Sequence, residues 1–146
     1  MIRLAVPGDA EQLFGLNERF NGPSLSTVED MERSLSENTQ ELVVVADQGG
    51  VLAGFVCVQI KRSFCYERPM AEVTEVFVDE AFRRKGLAGK MLGLAEETVL
   101  ARFGPVELTV LTGGDNLPAQ ALYEGAGFRR EDEVVFCREA ESSANN

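Results

Sequence analysis

Between residues 71 and 103 the sequence passes from an apolar strand into a basic, glycine-containing turn and then into an amphipathic helix. No other segment limits the fold as tightly. The strand starts near Ala71 and closes with Val76-Phe77-Val78. Arg83-Arg84-Lys85-Gly86-Leu87-Ala88-Gly89-Lys90 follows. From there Ala88, Met91, Leu92, Ala95 and Val99 share one helical face until Gly104-Pro105 stops the helix. Four of the 14 Lys and Arg residues crowd into positions 83–90, in a chain of formal net charge -10. The first amides of a helix lack internal acceptors, and that end carries about half a positive charge. Each cation placed there opposes the helix by about 0.3–1 kcal/mol. An anion seated on the amides removes the conflict, and a pyrophosphate suits the site. The plainer alternative is a solvated basic helix start with Gly86 as a turn residue. The spacing is neither G-x-x-x-x-G-K-[ST] nor G-x-G-x-x-G, so the turn is not one of those phosphate loops.

The remaining pattern supplies a sheet around this junction. Ile2 to Val6 alternates as a strand and stops at Pro7-Gly8. Asp9 reads as an N-cap, with Gln12 completing a capping box for a helix carrying Leu13, Phe14 and Leu16. That helix fades at Asn21-Gly22-Pro23. Ser26 or Thr27 caps a second short helix with Val28, Met31 and Leu35 at helical spacing. Leu42-Val43-Val44-Val45, the turn Gln48-Gly49-Gly50 and the run Val51 to Ile60 predict a hairpin, with a bulge at Gly54. Lys61 to Pro69 is a polar link. Val106, Leu108 and Val110 alternate in a further strand. A short helix with Leu117, Ala121 and Leu122 ends at Gly125 and Gly127. Phe128 to Arg130 and Val134 to Arg138 predict a last hairpin, and residues 139–146 a disordered tail. The order β-αα-βββ-α-β-α-ββ predicts one α+β domain over residues 1–138, a mixed, mostly antiparallel sheet with helices on its faces.

Composition removes several functions. The chain has 146 residues, 45% of them hydrophobic, enough for one core without metal or disulfide staples. No apolar run approaches the roughly 20 residues of a membrane span, and no secretory leader is expected. Cys57, Cys65 and Cys137 are odd in number and widely spaced, which fits neither a disulfide framework nor a zinc site. Cys57 and Cys137 read as small buried residues, and a reducing cytoplasm is the expected location. There is no histidine. Ser-His-Asp and Cys-His chemistry and His-ligated metals are therefore excluded, no metal is expected, and base work falls to Glu, Asp, Lys, Tyr or Cys. The acidic surface disfavours nucleic acid and anionic membranes as partners and attracts a cationic amine, although acidity alone also keeps a protein soluble.

Arg83-Arg84-Lys85-Gly86-Leu87-Ala88 resembles the [R/Q]-x-x-G-x-[G/A] signature of the GNAT (GCN5-related) N-acetyltransferase superfamily. Val76-Phe77-Val78-Asp79 looks like its fourth strand. Asn116 to Phe128 is similar to a second motif, N-x-x-A-x-x-L-Y-x-x-x-G-F. The likeness is close from Ala71 to Phe128 and looser over residues 1–138. It implies a sheet whose fourth and fifth strands splay apart around the pantetheine of acetyl-CoA, the co-substrate. By that likeness Val76, Phe77 and Val78 border the coenzyme, and the Phe77 and Val78 main chains pair with pantetheine. Arg84, Lys85, Gly86, Leu87, Ala88 and Gly89 wrap the pyrophosphate, and Arg83 reaches towards phosphate. Asn116, which also suits an N-cap, contacts the coenzyme, and Tyr123 lies near the sulfur. Many relatives are homodimers, which leaves a homodimer open here.

The implied reaction is direct transfer of an acetyl group to a primary amine on a small molecule or a peptide, within a ternary complex. Tyr123 protonates the departing thiolate, or is simply a core tyrosine. Glu75, through water, is the first candidate for the base and Glu72 the second. Strand alternation puts residues 72, 74, 76 and 78 on one face and 73, 75 and 77 on the other, so these carboxylates diverge unless a bulge intervenes. The Val78 N–H is a candidate oxyanion donor. Cys65 has no histidine partner, and no acyl-enzyme is expected. Two other readings stay open: a catalytically silent acyl-CoA-binding module of the same fold, and a nucleotide-phosphate binder of another class.

Overall fold

The β-branched runs do form strands. In a computed structural model describing residues 1–142, β1 (Ile2–Leu4), β2 (Glu41–Gln48), β3 (Val51–Lys61), β4 (Met70–Val78) and β5 (Leu108–Val110) make one sheet in the order β1-β2-β3-β4-β5. The first four run antiparallel, and β5 joins β4 in parallel. Helices α1 (Ala10–Asn21), α2 (Val28–Glu37), α3 (Leu87–Phe103) and α4 (Leu117–Gly125) cover it. On one face Val44, Val56, Val58, Ala71 and Val73 pack with Leu87, Met91, Leu92, Ala95 and Val99 of α3. On the other, Val45, Phe55 and Phe77 meet Leu13 and Leu16 of α1. Burying each such large side chain is worth about 1.5–3 kcal/mol, so both faces anchor β4.

Two bulges interrupt the ladders. Ala46 pairs with Gly54 but Asp47 pairs with Leu52, so Ala53 is the extra residue, next to the expected position. Gly54 itself allows a close approach, because a Cβ there would lie 2.3 Å from the Phe77 carbonyl oxygen. The second bulge matters more. Cys57 pairs with Glu75 and Val58 with Val73, which leaves Thr74 unpaired in β4. Glu72 stands opposite Gln59 and Glu75 opposite Cys57. Gln59 and Cys57 are two residues apart in β3, so Glu72 and Glu75 share the α1 face. Simple alternation sends them apart; the extra residue brings them together.

Pairing between β4 and β5 runs from Ala71↔Leu108 to Val73↔Val110 and ends there. Past the bulge β4 has no neighbour on that side, which is the splay the resemblance implies.

The capping expectations divide. Thr27 caps α2, taking the Asp30 N–H at 3.0 Å while Asp30 returns a bond to the Thr27 N–H at 3.2 Å. Asp9 makes no side-chain cap on α1. Its carboxylate accepts instead from Arg3 at 2.8 and 3.0 Å and from the Val6 N–H at 2.9 Å. Gln12 ties α1 to the β2–β3 hairpin through the Leu52 N–H and the Gly50 carbonyl. Arg3 outcompetes the helix amides because a bidentate, charge-assisted pair is the stronger partner.

The expected final hairpin does not form. Residues 128–142 hold no helix or strand, and Val134, Val135 and Phe136 are exposed. Cys137 is exposed with them rather than buried. The intervening Glu131-Asp132-Glu133 repels itself, stays solvated and lacks the Gly or Asn of a tight turn. Residues 139–142 are likewise without helix or strand, and the rest of the expected tail lies outside the described residues. Among the described residues no helix is long and apolar enough to cross a membrane.

Candidate active site

β4 ends at Val78, and a 3-10 turn, Glu80–Phe82, leads to the basic loop. Arg84 has φ 67° and Gly86 φ 72°. Glycine takes such angles freely, whereas a non-glycine residue stores about 1–3 kcal/mol of strain, a cost met mainly at functional sites. Gly86 is the N-cap of α3; no side chain caps it and its first turn has no acidic residue. Among the described residues no acceptor takes the N–H groups of Leu87, Ala88 or Gly89, and the first helical bond is Lys90 N–H to Gly86 O at 3.2 Å. A Cβ on Gly86 or Gly89 would meet nothing within 4 Å, so the space before these amides is open.

The cations around the amides are not neutralised from within. Arg83 donates from Nε to the Val78 carbonyl at 3.0 Å, folding the loop back on β4. Lys85 stands over the Phe82 ring at 5.4 Å. Among the described residues neither they nor Arg84 has an acidic partner. Open amides and uncompensated cations at one helix end suit a diphosphate, which makes the loop fit for coenzyme A.

A cleft of about 650 Å³ leads away from this loop, within the usual range for cofactor sites. Its floor is Val76, Phe77 and Val78; its walls are the 83–89 loop, Pro118, Ala119 and Leu122 of α4, and Arg19 and Phe20 of α1. The Asp79 N–H bonds the Ala53 carbonyl at 2.7 Å. By antiparallel alternation Phe77 then directs its main-chain groups at β3, and Val76 and Val78 direct theirs into the gap left by β5. Phe77 contributes its ring instead, stacked on Phe20 with centroids 5.0 Å apart. Lys85, Asn116 and Tyr123 are not among the lining residues. The Asn116 oxygen takes the Ala119 N–H at 3.2 Å and caps α4. Tyr123 is half-buried at the core edge, edge-on to Phe128 at 6.0 Å, and burial raises its phenol above the ordinary value of 10.0.

On the α1 face the Thr74 bulge gathers the carboxylates. Burial raises Glu75 above the ordinary value of 4.5, and the nearby Asn21 amide partly opposes this. Glu72 is paired with Lys61. Glu41, bonded by Gln59 at 2.8 Å, is raised by burial and by the nearby Glu75 charge. Burial, then the Glu41 and Glu75 charges, push the Cys57 thiol up, so this cysteine is an inert neutral neighbour. Among the described residues no cluster of His, Cys, Asp and Glu could hold a metal. Arg19, Phe20, Asn21 and Glu41 were not foreseen from the sequence. Hairpin register could have exposed Glu41, but Ala53 shifts that register by one.

The sequence matches the model of the Acetyltransferase (GNAT) family over residues 11–128. The chain belongs to the GNAT acetyltransferase family. It is an acetyl-CoA-dependent N-acetyltransferase. No curated sequence matches it significantly. Solved structures share the fold. An aminoglycoside acetyltransferase from an uncultured soil metagenomic sample, in complex with sisomicin, is 20% identical with TM-score 0.84, covering 97% of this chain and 96% of its own. The aminoglycoside N-acetyltransferase AAC(6')-Iy, in complex with a bisubstrate analogue of CoA and acetylneamine, is 23% identical with TM-score 0.82, covering 96% and 97%. A ribosomal-protein-alanine N-acetyltransferase from Brucella melitensis is 17% identical with TM-score 0.79, covering 96% and 99%.

Proposed function

We propose that this GNAT enzyme acetylates a primary amine on a small molecule carrying more than one positive charge. The observation that carries the reading is the grouping of Glu41, Glu72 and Glu75 on the α1 face of the sheet. Cationic amines concentrate at such a surface. The fold-level likeness to two aminoglycoside acetyltransferases agrees with it. A peptide amine is the second reading, favoured by the likeness to a ribosomal-protein-alanine N-acetyltransferase.

In the proposed reaction the ammonium passes a proton, through water, to Glu75. The freed nitrogen attacks the thioester carbonyl carbon. The Val78 N–H, directed into the gap, donates to the developing oxyanion. The carbon–sulfur bond breaks, Tyr123 protonates the thiolate, the nitrogen sheds its second proton to solvent water, and solvent returns a proton to the phenol while Glu75 releases its own. A phenol raised by burial is neutral at pH 7, as an acid must be. A carboxylate raised by burial is a better matched base than an ordinary one. Lys61 already engages Glu72, which makes it the weaker candidate. Arg83 is assigned to the coenzyme by likeness and by its place in the cleft wall, Asn116 and Lys85 by likeness alone.

The test is release of free CoA thiol from acetyl-CoA with sisomicin, neamine and an alanine-first peptide. Turnover with the two polyamines and little with the peptide is expected. Glu75→Gln should lower kcat/KM by about 10²–10⁴-fold if that carboxylate is the base. Undiminished turnover in that variant would remove Glu75 from the reaction, and activity confined to the peptide would reverse the choice of acceptor.

A further inference from the structure

We propose that two copies of this chain join by exchanging C-terminal segments, residues 134–138 of each pairing with the outer edge of the other's β5. The proposal goes beyond the acetyl transfer and does not depend on it. β5 pairs with β4 on one side, and among the described residues no strand pairs with its other side. An open edge of this kind is a template for a further strand. The same chain carries a strand-forming segment without a sheet. Val134, Val135 and Phe136 are 73%, 66% and 92% exposed and lie in no helix or strand. In extended form Val134 and Phe136 share one face, and Val135 and Cys137 the other. A segment apolar on both faces suits a sheet that is covered on both faces, not water.

Hydrogen bonds fix the direction in which the segment leaves. The Phe128 N–H bonds the Tyr123 carbonyl at 3.0 Å near the end of α4, and Phe128 packs against the core. Arg130 Nη1 donates to Gln120 Oε1 at 3.4 Å, nearer the start of that helix. Gln120 in turn donates to the Gly113 and Gly114 carbonyls at 3.0 Å each, in the turn after β5. The chain therefore runs back along α4 towards the C-terminal end of β5. To lie on its own β5 it must reverse within Glu131-Asp132-Glu133. That stretch has no Gly, Asn or Pro, and three adjacent acids resist being folded together. Arg129 engages Glu131 at 3.5 Å, as residues two apart do on one side of an extended chain. A second copy's edge needs no reversal, and a link too short to fold back favours exchange. Each chain offers one segment and one edge, so a two-fold axis near the end of β5 satisfies both and leaves neither over. A partner of another kind satisfies one and leaves the other. Leu111, one residue past β5, and Leu117, the first of α4, are exposed at this same end and extend the apolar surface between the copies.

The experiment is sedimentation equilibrium of the full chain at micromolar concentrations, with hydrogen exchange of the 134–138 amides read by mass spectrometry. A dimer with those amides protected is expected. Phe136→Glu sets a charge in the shared sheet and should weaken the dimer about hundredfold, with protection lost. Calorimetric affinity for CoA reports that this variant still folds, since no residue of the segment lines the coenzyme cleft. A second variant adds no charge. Inserting Asn-Gly between Asp132 and Glu133 supplies the missing turn and should yield a monomer whose 134–138 amides stay protected on its own β5. A monomeric wild type overturns the proposal, whether its segment is protected or not. A dimer with an unprotected segment, or one whose strength neither variant changes, places the interface elsewhere and overturns it too.

Discussion

Two regions of this protein concentrate charge, and they treat it in opposite ways. At one corner Arg3 reaches both Asp9 and Asp47, and Asp9 also takes the Val6 N–H. Donors and acceptors match, and the cluster ties β1, β2 and the start of α1 together. Before α3, Arg83, Arg84 and Lys85 meet no acid among the described residues, the amides stay open, and Arg84 holds a backbone angle that costs energy. Charge balanced from within serves the fold; charge left unbalanced waits for something from outside. The difference can be tested by asking which region answers to stability and which to coenzyme.

The largest effect should come from the balanced corner. Asp9→Ala removes the bidentate partner of the partly buried Arg3 guanidinium, leaving it Asp47 as its acidic partner, and leaves the Val6 N–H without its acceptor; it should lower folding stability by about 3 kcal/mol, read by urea denaturation. Affinity for CoA measured by calorimetry should not change. The same pair sets an acid limit. The Arg3 hydrogen bonds, chiefly, hold the Asp9 carboxyl below its ordinary value of 3.8 against the opposing pull of burial. Its contribution is full above that value and is lost as pH falls through the folded pKa. Wild type should therefore lose stability as the medium is acidified below about pH 4, and Asp9→Asn should lose less across that window.

The open region should behave in reverse. Arg84→Glu should weaken CoA binding about thirty- to hundredfold by calorimetry, the scale of one or two charge-assisted hydrogen bonds. Its melting temperature should hold or rise, because a negative side chain suits a helix N-terminus. The smallest effect sharpens the contrast most. Arg84→Gly relieves the positive φ, and the relief outweighs the added freedom of the unfolded chain, for a net gain of about 0.5–1 kcal/mol in urea. That variant should still bind CoA less well. A loss of stability in Arg84→Gly would mean that the loop serves the fold rather than the ligand.

Much of this was legible in local chemistry. The basic turn at 83–90 announces itself because its cations contradict the helix dipole. The period-3.6 face of Met91, Leu92, Ala95 and Val99 places α3 against the sheet. Register was less legible. One extra residue at Ala53 and another at Thr74 each flip a strand's faces; Gly54 marks the first bulge, but nothing local marks the second. That is why Glu72 and Glu75 read as diverging and why Glu41 went unseen. The 134–138 segment misled in the other direction, since Val134-Val135-Phe136 has strand propensity but no turn to return it. Asp9 and Gln12 have the right letters for a capping box, yet partners outside the helix claim both side chains.

One consequence of the parted strands reaches beyond catalysis. Among the described residues the end of β4 beyond Val73 has no strand partner on its β5 side; Val76 and Val78 direct main-chain groups there, and Arg83 engages the Val78 carbonyl. A pantetheine arm laid there would act as a surrogate strand for the enzyme. Its lifetime in a cell would then track the supply of acyl-CoA, with starvation exposing the edge to proteolysis and self-association.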